Sequence, residues 1–371
     1  MEVHSKMKGW NDLPFEMKCE VFKYLEQKDR FKFAKCSLRC LNEVLHEEKD
    51  IRKVELARIK SAGEKLFILT IDGNMKLNFK QVGKLCKIQC EDEIIWKGVE
   101  NGKTMVYEFF ENILAKHKNH LYRLYLSKVD FMIRDKSIDN FPKLKFFKIT
   151  TNNEKQLYSF LSKIENVYDL TVNFRDFGNT ENSDKIRFPE NFKFSQIDVL
   201  KLVSNNANVA LNIIDKIDMQ ENKCFGFASV SIIDGKLAEV DDKLMKFFKK
   251  CGTLKTNLVL TNDQFMELTN SVHELSCDAA NINPHIIVSV LEKRTMHFIE
   301  LDNVHSGILE YKKRLELVPK KEIWGEIVPN EYIFDWPSIY GTYDSYTGRL
   351  SIKHMMFDES NMWPGLSSLL L

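Results

Sequence analysis

One short apolar pattern recurs after about residue 60 and limits what this chain can fold into: an apolar residue, two others, an apolar residue, one other, an apolar residue. Its copies are Leu66/Leu69/Ile71, Leu121/Leu124/Leu126, Leu144/Phe147/Ile149, Val167/Leu170/Val172, Ile197/Leu200/Leu202, Phe227/Val230/Ile232, Val272/Leu275/Cys277 and Met296/Ile299/Leu301, with Leu258/Leu260 as a copy lacking its first member. The last two members of each copy are two apart, which places them on one face of a strand. Copy centres at 124, 147, 170, 200, 230, 258, 275 and 299 give steps of 23, 23, 30, 30, 28, 17 and 24 residues. Most of these steps hold one strand and one helix. Helical spacing fills the gaps, at 105–116, 154–164, 207–217, 236–249, 261–269 and 284–291. The expected class is α/β, with parallel strands in a stacked array.

A strand, a turn and a helix repeating at this interval is the arrangement of a degenerate leucine-rich-repeat-like solenoid. The asparagine that normally follows the strand in regular repeats is missing from these copies. An α/β sheet whose buried parallel strands simply look alike is the alternative. Ahead of the regular copies, EDEIIWKGVENGKTMVYEFF alternates on both sides of Asn101-Gly102, a dipeptide suited to a tight hairpin turn. Near the other end, EYIFDWPSIYGTYDSYTGRLSIKHMMF reads as two strands and a turn, a β-hairpin cap over the last hydrophobic face. Trp336, Tyr340, Tyr343 and Tyr346 suit an interface equally well.

The stretch WNDLPFEMKCEVFKYLEQKDRFKFAKCSLRCLNEV, from Trp10 to Val44, is dense in large apolar residues. Pro14 suits a first helical turn, and Asp12 and Glu16 put negative charge near the positive helix end. Leu13, Met17, Val21, Phe22 and Leu25 form an apolar stripe, with Lys18, Glu20 and Lys23 on its reverse. Lys28 and Asp29 interrupt it; a second helix holds Phe31, Phe33 and Ala34, and a third presents Leu38, Leu41, Val44 and Leu45. Units of about 40 residues rarely bury enough surface to stand alone. The excess apolar face therefore docks onto another protein or onto the body of the chain.

Trp10, Asp12, Leu13, Pro14, Glu16, Val21, Phe22, Tyr24, Leu25, Lys28, Asp29, Arg30, Phe31, Phe33, Ala34, Cys36 and Ser37 follow an order that resembles the F-box. The cluster R-F-x-F-A-K-C-S is similar to the F-box variants expanded in nematodes. Two positions depart from the commoner pattern: Phe33 stands where many members carry leucine, and Cys40 follows Arg39 where tryptophan is frequent. The resemblance implies a three-helix module over residues 7–50 that grips the Skp-type adaptor, and through it the cullin, of an SCF ubiquitin ligase. The contact residues it implies are Leu13, Pro14, Val21, Phe22, Leu25, Phe31, Phe33, Ala34 and Leu41. Residues 60–371 would then hold an unknown target protein. A repeat scaffold for protein–protein interaction, without a ligase connection, is the alternative.

Charge and motif content bound the remaining classes. Lys and Arg number 54 against 53 Asp and Glu, so no net field draws the chain to nucleic acid or anionic lipid. MEVHSKMKGW lacks the apolar core of a signal peptide, and no run approaches a membrane span, so a cytoplasmic or nuclear location is expected. Eight cysteines fit a reducing compartment. Cys36/Cys40 and Cys86/Cys90 have zinc-like spacing but fall where small apolar thiols pack, and His117/His120 fit a helix C-terminus better than a metal. GVENGKT has one residue too few between its glycines for a phosphate-binding loop. With no nucleophile elbow, zinc-protease or dinucleotide motif, the expectation is a non-enzymatic chain without cofactor.

Overall fold

The computed structural model describes residues 13–47, 51–61, 64–164, 166–175, 188, 192–194, 197–217, 225–232, 240–293, 295–319, 331–334, 336 and 339–354. They fall into two compact units, one drawn from residues 1–166 and 183–189, the other from 167–182 and 190–371.

The first unit opens with helices α1 (Phe15–Tyr24), α2 (Gln27–Ala34) and α3 (Leu38–Glu47). Strands β1 (Lys53–Ser61), β2 (Glu64–Ile71), β3 (Met75–Val82), β4 (Leu85–Cys90) and β5 (Glu93–Gly98) then form an antiparallel meander. Helix α4 (Gly102–His117), β6 (Arg123–Ser127), β7 (Phe146–Thr151) and α5 (Glu154–Leu161) complete the unit, β6 pairing parallel with both β1 and β7. The meander corrects the expectation that repeats occupy the chain from residue 60. Leu66/Leu69/Ile71 belongs to β2, where Leu69 and Ile71 face the core and Leu66 faces outward. Its hairpin turn is Asp72-Gly73, with φ of 49° and 75°, the left-handed angles that an Asp-Gly pair tolerates.

Asn101-Gly102 is a helix start and not a hairpin. Asn101 caps α4, its side chain accepting from the Lys103 amide at 3.0 Å. Val106, Phe110, Ile113 and Leu114 are buried along one face of the helix, and that burial outweighs the local turn preference. Gly102 lies so close to β4 that a Cβ there would stand 2.8 Å from the Cys86 sulfur. The glycine serves close packing.

The second unit alternates strands and helices: β8 (Asp169–Phe174), β9 (Val199–Ser204), α6 (Ala207–Asp215), β10 (Phe225–Ile232), α7 (Asp242–Phe248), β11 (Cys251–Thr256), α8 (Asn262–Thr269), β12 (Glu274–Asp278), α9 (Pro284–Lys293) and β13 (Phe298–Asp302). The six strands are parallel, and Leu170, Leu200, Ala228, Leu254, Leu275 and Ile299 sit side by side across them, all buried. Two copies were therefore framed wrongly. In β10 the inward pair is Ala228 and Val230, while Phe227 faces outward; in β11 it is Leu254 and Thr256, with Leu258 and Leu260 buried after the strand. Thr256 breaks the apolar pattern without leaving a bare hydroxyl, because its Oγ1 accepts from the Leu258 amide at 3.1 Å. With centres at 170, 200, 228, 254, 275 and 299, the steps become 30, 28, 26, 21 and 24, and the anomalous 17 disappears.

Side-chain caps explain why helices begin soon after strands. Asn153, Asn206, Asp241 and Thr261 each accept from an amide of the first turn, and Thr261 forms a capping box with Gln264. Five helical stretches read from the sequence coincide with α4, α5, α6, α8 and α9; the sixth shortens to α7 within the described residues.

A short 3-10 helix (Ser306–Tyr311) follows β13, and then β14 (Leu317–Pro319), β15 (Glu331–Phe334), β16 (Ile339–Asp344) and β17 (Arg349–His354). These last four strands are antiparallel to one another, and β17 runs antiparallel beside β13. Trp336 and Tyr343 are buried while Tyr340 and Tyr346 are exposed, so the aromatic set divides between core and surface. Gly348, in the turn before β17, has φ of 68° and its carbonyl accepts from the Val304 amide at 2.7 Å. A Cβ there would lie 3.0 Å from the Val304 carbonyl oxygen. Gly348→Ala is expected to lower stability by about 1–3 kcal/mol through left-handed strain and that contact, read as a reduced urea midpoint. An unchanged midpoint would contradict this account of the turn.

Candidate functional site

Helix α1 carries apolar residues on two faces, and the structure assigns them different neighbours. Phe22 is buried and meets Phe33 edge to face at 5.3 Å between centroids. Ala34, Leu41, Val44 and Leu45 are buried with it, forming the seam that joins the helices. On the other face, Pro14, Met17, Val21 and Tyr24 follow spacings of three, four and three, and all are exposed: Met17 54%, Val21 41% and Tyr24 86%. Leu13 and Leu25, half-buried, border this stripe.

The nine expected contact residues thus separate. Pro14 and Val21 are open to solvent, and Leu13, Leu25 and Phe33 are partly open. Phe22, Ala34 and Leu41 are corrected to internal positions, because a side chain already covered by its own module has no surface left to offer. The side chain of Phe31 lies outside the described residues, as do Trp10 and Asp12. Met17 and Tyr24 stand outside the expected contact set, although their spacing from Val21 marks the same exposed face. Treating the whole stripe as one face merged two.

Lys18 was expected on the solvated reverse of α1. It is instead 2% exposed, its Nζ 2.9 Å from Glu43 Oε1 on α3. This buried ion pair fixes the rotation of α1 and so decides which apolar face points outward. The module is tied to the rest of its unit by the Lys35–Glu91 pair and by Lys116 Nζ donating to the Leu45 carbonyl at 3.4 Å.

The other motifs resolve into packing. Cys86 and Cys90 share the inner face of β4, and burial raises both thiols, Cys90 to about 11. Such thiols behave as small apolar groups. Among the described residues no group of three or more His, Cys, Asp or Glu could hold a metal ion. His117 ends α4 as a buried residue, not as a surface charge. No helix among the described residues is long and apolar enough to cross a membrane.

The first of three short helices thus shows an apolar stripe to solvent and is braced from behind by a charge pair. The family model described as the F-box domain matches residues 10–47, the stretch that holds this stripe. No curated protein and no solved structure matches the chain. F-box domains bind Skp-type adaptors in SCF complexes, which implies in general an adaptor-binding substrate-receptor role. This chain carries an F-box domain at residues 10–47.

Proposed function

We propose that the chain is a substrate receptor of an SCF-type ubiquitin ligase, docking on the Skp-type adaptor through Pro14, Met17, Val21 and Tyr24, with Leu13 and Leu25 at the margin. The observation that carries this is the exposed stripe: four apolar side chains left uncovered on one face of a helix inside the matched F-box. The second unit then acts as a leucine-rich-repeat-like array that holds a target protein. Support for that part comes from the strand face. Of the six residues alternating with the buried ladder, Thr171, Lys201, Ser229, Lys255 and Glu300 are at least partly exposed and Ser276 is buried, whereas a sheet covered on both faces would bury them all. Half-buried Phe227 and Phe298 on the same face, with Lys201 Nζ 5.8 Å from the Phe227 ring centre, offer apolar anchors among polar groups.

Such a receptor has no catalytic side chain to supply. By holding a target beside the charged conjugating enzyme, it raises the effective concentration of an acceptor lysine. The test is capture of purified Skp-type adaptor by the whole chain, followed by co-migration with cullin on gel filtration. Capture at low micromolar concentration supports the receptor. Failure to capture, with the chain folded, favours the scaffold without ligase connection.

A further inference from the structure

The meander and the start of α4 enclose a second feature, a cavity of about 450 Å³ unrelated to the helical stripe. This is within the size range of small-ligand sites. Its walls are set by strand register. Arg58 on β1 stands directly opposite Phe67 on β2, and Lys65 on β2 stands opposite Gln81 on β3. Lys84 closes it from the β3–β4 turn, where Gly83 takes a φ of 59°, and Glu100 and Asn101 enter from the approach to α4.

The charges do not balance. Lys103 is paired with Asp130 at 2.6 Å, and Tyr107 donates a hydrogen bond to the same carboxylate. Burial alone would raise the Asp130 carboxyl, yet the Lys103 and Tyr107 hydrogen bonds hold it below its ordinary value. That pair is neutral as a unit. Arg58, Lys65 and Lys84 have no carboxylate partner among the described residues, and Glu100 is the remaining acid in the wall. Three cations against one anion leave an excess of two positive charges. The first two amides of α4 are already occupied, Gly102 donating to Gln81 Oε1 at 2.7 Å and Lys103 to Asn101 Oδ1. The side-chain cations, not the helix end, therefore define the preference.

Arg58 lies over the Phe67 ring, 5.7 Å from its centre, and its buried Nε has no acceptor among the described residues. Val99 adds an exposed apolar edge beside it. A doubly charged anion with an apolar body matches this combination. We propose that the cavity binds a phosphate monoester: the phosphate dianion among Arg58, Lys65 and Lys84, and the organic substituent against the exposed Val99, with Phe67 buried beneath Arg58 as the floor that holds it. The phosphate could be carried by a free metabolite or by a modified protein side chain, which present the same chemistry.

Calorimetric titration of the whole chain with phenyl phosphate tests this, with phenyl sulfate, inorganic phosphate and a phosphotyrosine peptide as companions. Saturable binding is expected, weaker for the singly charged sulfate. Lys84→Gln, on an exposed turn where folding is unaffected, should weaken phenyl phosphate roughly fivefold, and Arg58→Met roughly tenfold. Glu100→Gln should tighten it roughly threefold by removing the opposing charge. The ranking of phenyl phosphate against the peptide assigns the source, and either order supports the site. No saturable binding of any of the phosphates up to about 10 mM, or an affinity unmoved by both Lys84→Gln and Glu100→Gln, overturns it.

Discussion

Met17→Asp combined with Val21→Asp is expected to weaken capture of the Skp-type adaptor by about a hundredfold while leaving the fold intact. Full burial of one such side chain stabilises an interface by about 1.5–3 kcal/mol, and both are already partly shielded, so about 1–1.5 kcal/mol each is the usable gain. Replacing them also places two carboxylates in the contact, an added desolvation cost. A total near 3 kcal/mol corresponds to a factor of about 150 in Kd. Because Met17 and Val21 are 54% and 41% exposed, the free chain has little to lose, and its unfolding free energy should stay within about 0.5 kcal/mol of the parent. Phe22→Asp is the contrasting control: it places a charge in the seam beside Phe33 and should unfold the helices outright. Equal capture by the parent and the Met17/Val21 variant would remove the stripe from the interface.

Lys18→Met gives the second large effect, in stability. The substitution leaves the Glu43 carboxylate, 9% exposed, without the ammonium it now faces at 2.9 Å. Removing one partner of a buried ion pair costs about 3–5 kcal/mol, whereas replacing both by apolar groups of similar volume is close to neutral. Lys18→Met alone should therefore loosen α1 from α3, and Lys18→Met with Glu43→Leu should restore most of the loss. Hydrogen exchange of the α1 amides measures this locally, without requiring global unfolding. Adaptor affinity should follow the same order, because a helix that is docked only part of the time offers its stripe only part of the time. A double variant no better than the single would show that Lys18 acts by something other than pairing.

These two residues also mark how far the sequence could be read. Val21 was recoverable from spacing alone, and the order of residues from Trp10 to Ser37 was enough to place the module. Lys18 was not recoverable. A lysine between apolar residues looks solvated unless its acid, here Glu43 some 25 positions away, is known to face it. The repeat array shows the same division. Leu170, Leu200, Leu275 and Ile299 announced their strands because each inward pair is apolar, whereas Thr256 hid β11 by satisfying its hydroxyl on the backbone. Ala228 hid the frame of β10 by being smaller than its outward neighbour Phe227. The meander was misread for a further reason: Leu66/Leu69/Ile71 imitates a repeat, while the Asp72-Gly73 turn beside it carried the correct antiparallel message. Asn101-Gly102 sent the opposite message, and only the buried face of α4 overruled it.

The strand that runs backwards beside β13 ends the parallel ladder of the second unit at that edge. With β17 in place no seventh parallel strand can join at that edge, and among the described residues the sheet ends at β14, three residues long and closing on Pro319, a poor template for another chain. The six parallel strands of this unit have five spacings of 4.7–4.9 Å, so their ladder is roughly 24 Å wide. An extended segment laid over it would be read along about seven residues at some 3.3 Å each. Under the target-holding role proposed above, contact with this ladder would stop at its β13 edge, whatever the length of the bound segment.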